Sequence, residues 1–328
     1  MKAVYIKEFG GAENLEIREI PDPPKPEGTQ VLVRVRAAGL NRADIMQRRG
    51  AYPPPQGYSP NIPGLELAGE IIDTGRDTSR FQKGDRVFGI TAGEAQAEQM
   101  LIDESLLAPV PANIDLIAAA AFPEVFITAH DAVFTQAQLQ NSETLLIHAV
   151  GSGVGLAALQ LAKAHGCRVI GTSRTADKLE RCSAFGLDVP VLVDSEPDFA
   201  QKVMENTDGV GAGVILDLVG GAYFSQNVAS LAVKGRLMIV GLSAGRKAEI
   251  DLGAVLSKRA KVIGTALRGR SVEEKADAVR RFESDVVPLI ASGKLTGNVD
   301  RVFALADIRA AHEYMESNAS FGKIVLEV

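Results

Sequence analysis

The chain has 328 residues, 46% of them apolar and 23% charged, with a net charge of −6. That length exceeds a single typical core and implies two domains, and the acidic balance argues against nucleic acid or an anionic membrane as the main partner. No apolar run approaches the ~18 residues that span a bilayer. The opening Met1-Lys-Ala-Val-Tyr lacks a signal-peptide profile, and the two cysteines, Cys167 and Cys182, make no disulfide framework, so a cytoplasmic protein is expected.

Residues 1–120 read as β-rich. A rigid connector, Pro21-Asp-Pro-Pro-Lys-Pro-Glu-Gly28, precedes Val31-Leu-Val-Arg-Val-Arg-Ala-Ala38, whose alternation describes a strand with one solvated face. Asn41 to Arg49 reads as a short helix ended by Gly50, and the proline run keeps Tyr52-Pro-Pro-Pro55 extended. Leu67 to Asp73 and Asp85 to Ile90 are further short strands parted by Gly and Asp turns. This mixture suggests a partly opened barrel.

From residue 121 the rhythm changes. Strands near 144–150, 168–173, 189–194, 213–219, 236–241 and 261–266 alternate with helical stretches, the βαβ repetition of a parallel sheet. In Thr144-Leu-Leu-Ile-His-Ala-Val-Gly-Ser-Gly-Val-Gly155 a buried run breaks into a glycine turn. A helix follows, with Leu156, Leu159, Gln160 and Lys163 at helical spacing. Gly151-Ser152-Gly153 supplies G-x-G, but Gly155 comes two residues later instead of three. Alone, the turn fits a tight strand–helix connection as well as a pyrophosphate cradle. At the end of the next strand stand Thr172, Ser173 and Arg174, with Lys178 one turn further on, where NAD binders carry an acidic residue. Hydroxyls and cations suit a 2′-phosphate and favour NADPH; ordinary surface charge opening a helix is the alternative. Asn298 to Val328 returns to strand–helix–strand, and its last strand packs back on the first domain. The expected fold is α/β: a β-rich domain from 1–120 and 268–328, with a doubly wound parallel sheet over 121–267 inserted into it.

Five segments occur together and in order. They are Leu40-Asn-Arg-Ala-Asp-Ile-Met-Gln-Arg-Arg-Gly-Ala-Tyr-Pro-Pro-Pro55, Ile62-Pro-Gly-Leu-Glu-Leu-Ala-Gly-Glu70, Lys83-Gly-Asp-Arg-Val-Phe88, Leu146-Ile-His-Ala149 and Gly322-Lys-Ile-Val-Leu-Glu327. Through them essentially the whole chain resembles the zinc-free quinone oxidoreductase (ζ-crystallin-like) branch of the medium-chain dehydrogenase/reductase superfamily. Within that branch it is similar to the NADPH-dependent, tumour-suppressor-inducible type. The resemblance implies a GroES-like catalytic domain, a Rossmann domain, hydride transfer from NADPH to a quinone, and a homodimer or homotetramer. It places Asn41 and Thr128 at the nicotinamide ribose and amide, Ser152, Gly153, Val154 and Gly155 at the pyrophosphate, and Ser173, Arg174 and Lys178 at the 2′-phosphate. Val240, Gly241, Leu242, Ala266, Leu267 and Arg268 match segments lining the nicotinamide, Asn318 a position reaching the cofactor, and Tyr52 a substrate-side tyrosine. Without the resemblance, Asn41 reads as a turn or helix cap, Tyr52 as packed on its own prolines, and Thr128 as a helix threonine. Three positions depart from the resemblance: Ser152 stands where many relatives have glycine, Met46 where some bacterial relatives have tyrosine, and Asp194 where an aromatic often flanks the adenine.

No zinc site assembles from the residues. Both cysteines lie outside the catalytic domain, and Leu40 and Leu65 stand where zinc-dependent relatives carry Cys and His. Glu66 alone is no site, and His130, His148, His165 and His312 read as structural. Reducing an unactivated ketone leaves an alkoxide in need of stabilisation, whereas a quinone or enone spreads the arriving electron pair through its own conjugation. Direct hydride transfer to a quinone held by Asn41 and Tyr52 is the expected chemistry. An enone, 2-alkenal or enoyl-thioester reductase on the same scaffold is the enzymatic alternative, and an NADPH-binding structural or regulatory protein with little turnover is the other. Asp44 reads as a structural hydrogen-bond partner rather than a base.

Overall fold

The computed structural model describes residues 1–193 and 197–328. The chain divides into two units, Met1–Ile127 with Leu267–Val328, and Thr128–Ala266. Met1–Ile127 carries strands β1 (Lys2–Ile6), β2 (Leu15–Glu19), β3 (Gln30–Leu40), β4 (Glu66–Thr74), β5 (Arg86–Ile90), β6 (Gln99–Asp103) and β7 (Leu107–Pro109). Thr128–Ala266 carries β8 (Thr144–Ile147), β9 (Arg168–Ser173), β10 (Val189–Leu192), β11 (Ala212–Asp217), β12 (Leu231–Ile239) and β13 (Lys261–Gly264), and β14 (Val299–Ala304) and β15 (Lys323–Glu327) return to the first unit.

In the first unit β3 is the spine. Val31, Val33 and Val35 point inward while Arg34 and Arg36 stay exposed, the alternation of a half-solvated strand. Its first half pairs with β6 and its second half with β15, and β4 runs alongside both. The change coincides with a register shift between Val35 and Ala37 against β4. One extra residue there re-aims the strand, after which Ala37 to Leu40 are buried without alternation. The sheet order is β14-β15-β3-β4-β5-β7. The C-terminal segment is the expected strand–helix–strand, with helix Ile308–Glu316 between β14 and β15. Val4, Ile6, Leu40, Ile45, Ile308 and Ile324 form one core cluster, and each such side chain contributes ~1.5–3 kcal/mol by leaving water. That cluster fixes β15 against β3 in the register Ile324↔Leu40.

The second unit is a six-stranded parallel sheet in the order β10-β9-β8-β11-β12-β13. The chain enters at β8, winds out to β10, then crosses back to β11, so a topological switch point lies between β8 and β11. β8, β11, β12 and β13 end earlier than their apolar runs suggest, whereas β9 ends at Ser173 as expected. β8 stops at Ile147 because His148 to Val150 already belong to the turn, with Ala149 at φ 49°.

One expectation needs correction. The helical stretch Leu116–Gln136 is long and apolar enough, by length and composition, to cross a bilayer. About 72% of its apolar window is buried inside the protein, as in a core helix, and it changes to π-helical geometry over Asp131–Gln136.

Candidate active site

The catalytic unit gathers a buried polar cluster at the end of β3. Asn41 occupies the N-cap position of helix Arg42–Arg48, and its backbone N–H donates to Asp44 Oδ2 at 2.8 Å. Asp44 Oδ1 accepts from Gly64 N–H at 3.0 Å, so this carboxylate ties helix to loop, the structural role expected of it. The Asn41 amide turns the other way: Nδ2 donates to Glu66 Oε1 at 2.7 Å, and Oδ1 accepts from Lys323 Nζ at 2.8 Å. Lys323 also donates to Glu66 Oε1 at 2.6 Å and to Leu40 O at 3.0 Å. Glu66 and Lys323 are 0% and 2% exposed, so this is a fully desolvated ion pair, favourable only because added hydrogen bonds satisfy it. Room for it comes from Gly39, where a Cβ would overlap the Glu66 carboxyl. The remaining oxygen, Glu66 Oε2, accepts from Glu124 N–H at 2.8 Å in the first turn of helix Pro123–His130.

Charge is concentrated here. Burial pushes the Asp44 carboxyl up to about 6, against the pull of the Asn41 and Gly64 N–H groups and of Lys323 and Arg268. Glu124 is pushed up to about 8, by burial and then by the neighbouring charge of Glu66. Glu124 is only half-buried, so solvent relieves part of the burial cost, and the adjacent Glu66 carboxylate is the firmer cause. Arg268, 4% exposed, donates from Nε to Ala92 O and from Nη1 to Tyr52 O, both at 2.8 Å, and from Nη2 to Gln47 Oε1. Its guanidinium carbon lies 5.0 Å from the centre of the Tyr52 ring. Tyr52 is thereby held by its backbone and under its ring. Leu40 and Leu65 are apolar and buried, and among the described residues no group of three or more His, Cys, Asp or Glu is placed to hold a metal ion.

The nucleotide-type unit holds the glycine turn. Ser152 caps helix Gly153–Ala164, its Oγ accepting from Gly155 N–H at 3.2 Å. A Cβ on Gly155 would stand 2.6 Å from Ala149 O, so only glycine lets the helix start this close to the turn. Beneath the turn runs a buried hydrogen-bonded chain. His148, 0% exposed, meets Thr172 Oγ1 at 2.9 Å through Nδ1 and Asn227 Oδ1 at 2.6 Å through Nε2. Asn227 Nδ2 donates to Asp217 Oδ2 at 3.0 Å, which orients the amide and assigns the proton of His148 to Nε2. Asp217 Oδ1 accepts from Val219 and Gly220 N–H at 2.8 and 2.9 Å, holding the loop after β11. Burial draws the His148 imidazole below its ordinary range, opposed by the charge of Asp217.

The remaining positions fall as follows. Ser173 is buried at the end of β9 with its Oγ accepting from Thr175 N–H at 3.2 Å, Arg174 is exposed, and Lys178 is half-buried in helix Ala176–Ser183. Val240 and Gly241 donate their N–H groups to Asp217 O at 2.9 and 3.1 Å, while Leu242 is 45% exposed. Thr128 is half-buried in helix Pro123–His130, and Leu267 is buried beside Arg268. Asn318 has φ 58° and accepts from Arg42 Nη2 at 2.8 Å. Asp194 lies outside the described residues. The structure brings Asn41 together with Glu66 and Lys323, and Tyr52 with Arg268. Sequence reasoning missed Lys323, Glu124, Gln47 and the His148 chain. The only local signals were the Phe122-Pro-Glu helix start and the lone lysine of Gly322-Lys-Ile.

A capped helix start after the first strand of a doubly wound sheet, free of acidic residues in its first turn, fits a dinucleotide pyrophosphate. Two domain families match: "Alcohol dehydrogenase GroES-like domain" over residues 27–135 and "Zinc-binding dehydrogenase" over 153–284. A Pseudomonas aeruginosa quinone oxidoreductase is 32% identical over 326 residues, 99% of each protein. Among solved structures, an NAD-dependent alcohol dehydrogenase superposes with TM-score 0.88 at 31% identity, covering 100% of both chains. The Escherichia coli quinone oxidoreductase complexed with NADPH gives 0.87 at 30%, again covering 100% of both. The CurK enoyl reductase gives 0.86 at 25%, covering 99% of this chain and 98% of that one. A GroES-like unit, a Rossmann-type parallel sheet and full-length likeness to quinone oxidoreductases lead to one assignment: the chain is an oxidoreductase-type member of the medium-chain dehydrogenase/reductase superfamily, in its quinone oxidoreductase branch.

Proposed function

We propose that the protein is an NADPH-dependent quinone reductase that needs no metal. The observation that carries this reading is the Lys323–Glu66 contact of 2.6 Å. The one carboxylate that stands where zinc relatives build their site is already neutralised by a buried ammonium, and its other oxygen is taken by Glu124 N–H. The neighbouring Leu40 and Leu65 offer no ligand atom. With this donor set the acceptor must stabilise its own developing charge, which a quinone does. Bound NADPH supplies the hydride. Ser152 to Gly155 would hold its pyrophosphate, and Ser173, Arg174 and Lys178 its 2′-phosphate. Tyr52, pinned by Arg268, would orient the acceptor ring, and Asn41, fixed by Glu66 and Lys323, would present a rigid polar edge.

Among the described residues β13 ends its sheet without a second partner strand. Val262 on it, and Leu252 and Leu256 on helix Leu252–Lys258, are exposed at 43%, 73% and 77%; these features support a homo-oligomer. A cytoplasmic setting goes with this reading. The likeness to an enoyl reductase favours a second one, enone or enoyl-thioester reduction on the same scaffold. Steady-state rates with an ortho-quinone, a 2-alkenal and crotonyl-CoA, each with NADPH and with NADH, separate them. Quinone turnover with NADPH preferred is expected. Preference for the thioester selects the second reading, and tight NADPH binding without turnover of any acceptor selects a non-catalytic protein.

A further inference from the structure

We propose that Glu124 is the proton donor to the reduced acceptor: its backbone is anchored on Glu66, and its carboxyl, within electrostatic reach of the Tyr52 phenol, gives its proton to the acceptor oxygen after hydride arrives. This deepens the quinone reading above and rests on it. The Glu124 backbone is fastened by its N–H to Glu66 Oε2 at 2.8 Å, so its side chain starts from the wall of the buried cluster. Among the described residues its carboxyl makes no hydrogen bond, and it is half-buried, which leaves an oxygen edge open. The charged and titratable groups that it feels are Glu66 from β4, Asp44 from helix Arg42–Arg48, Lys323 from β15, Arg268, Lys275 from helix Val272–Arg281, and the Tyr52 phenol.

Elimination among these groups leaves Glu124. Asp44 and Glu66 are 0% exposed with both oxygens already in hydrogen bonds, and Lys323 and Lys275 are 2% and 3% exposed. Tyr52 is half-buried, but burial raises its phenol further above the ordinary value of 10.0, which makes it a poor acid. Glu124 is raised to about 8 and so carries a proton at neutral pH, where a general acid is most effective. The step balances without another reagent. Hydride brings two electrons and one hydrogen to the quinone and leaves a hydroquinone monoanion. The Glu124 O–H bond then breaks as the second acceptor O–H bond forms, and water reprotonates the carboxylate.

The test uses the full chain. Coenzyme-free protein is titrated by infrared difference spectroscopy, and a carboxylic-acid band lost with a midpoint of about 8 is expected in wild type and absent from Glu124→Gln. No such band, or one retained in the variant, overturns the assignment. In turnover with NADPH, Glu124→Gln is expected to lose roughly a hundredfold in kcat on a quinone. Its KM for NADPH should not move, and its rate should be kept on phenazine methosulfate, a cation that takes hydride without a proton. Glu124→Asp should recover part of the loss. Equal losses on both acceptors, or none on the quinone, overturn the role. If the variants do not fold, wild type decides, because its quinone kcat should fall above pH of about 8 while the cationic acceptor shows no such limb. The same limb on both, or on neither, overturns the role. A wild type inactive on every quinone overturns the quinone reading and this role together. An active wild type whose variant keeps its rate overturns Glu124 alone.

Discussion

Each unit buries a polar cluster, and the two are built on opposite plans. In the nucleotide-type unit, Thr172, His148, Asn227 and Asp217 form a line in which both His148 nitrogens, the Asn227 amide and both Asp217 oxygens have partners. Its imidazole is held neutral by burial, against the charge of Asp217. Such a chain rigidifies the loops after β8 and β11. In the catalytic unit, Glu66 and Lys323 are satisfied, but Asp44 and Glu124 are carboxyls held well above their ordinary values. One cluster is a strut. The other holds a proton on Glu124 at neutral pH, and it surrounds the residues to which substrate contact is assigned.

The contrast breaks most sharply at Lys323. Lys323→Met leaves Glu66 charged, desolvated and unpaired, and should destabilise the protein by ~3–5 kcal/mol in chemical denaturation, with much of the loss regained by adding Glu66→Gln. A deficit under 1 kcal/mol would mean that the pair is solvated.

The second test concerns the nucleotide-type unit's exposed chemistry. Neutralising Arg174 and Lys178 should raise KM for NADPH far more than for NADH, since charged hydrogen bonds to a phosphate contribute roughly 1.5–3 kcal/mol each. Equal rises for both coenzymes would refute the clamp.

Next in size, His148→Phe strands Thr172 and Asn227 and should cost ~1–3 kcal/mol near neutral pH. The pH dependence sharpens this. A histidine whose folded pKa lies below its ordinary 6.5 makes the native state lose stability as pH falls through 6.5, because the unfolded chain takes up the proton that the fold refuses. The deficit of His148→Phe should therefore shrink in acid. A deficit that grows in acid would show that the imidazole is charged in the fold.

A further test has the opposite sign. Glu124 is raised from 4.5 to about 8, so the native state holds its proton through that window and stability declines as pH rises across it. Glu124→Gln removes the decline. Its melting temperature relative to wild type should climb from pH of about 5 to pH of about 9. A flat difference across that range contradicts the elevated carboxyl.

The residues by themselves determined the two-domain α/β plan, the six parallel strands, the helix after Asn41 and the glycine turn at Ser152, and full-length likeness and sheet order agree with that plan. Those features are written in neighbours a few positions apart, through alternation, helical spacing and glycine or proline punctuation. The strand ends were less legible, since an apolar run such as Leu145 to Val150 continues past the last ladder hydrogen bond into a turn whose geometry only Ala149 and its contacts reveal. Nothing local in the sequence marks Glu124, in the first turn of a helix, or Lys323, in the C-terminal strand, as a titratable or paired group. Their chemistry comes from partners far along the chain: Lys323 meets Glu66 across 257 residues, and only because β15 docks on β3 in one register. A charge acquires its pairing and its protonation from what folding buries beside it, and that is decided by tertiary packing.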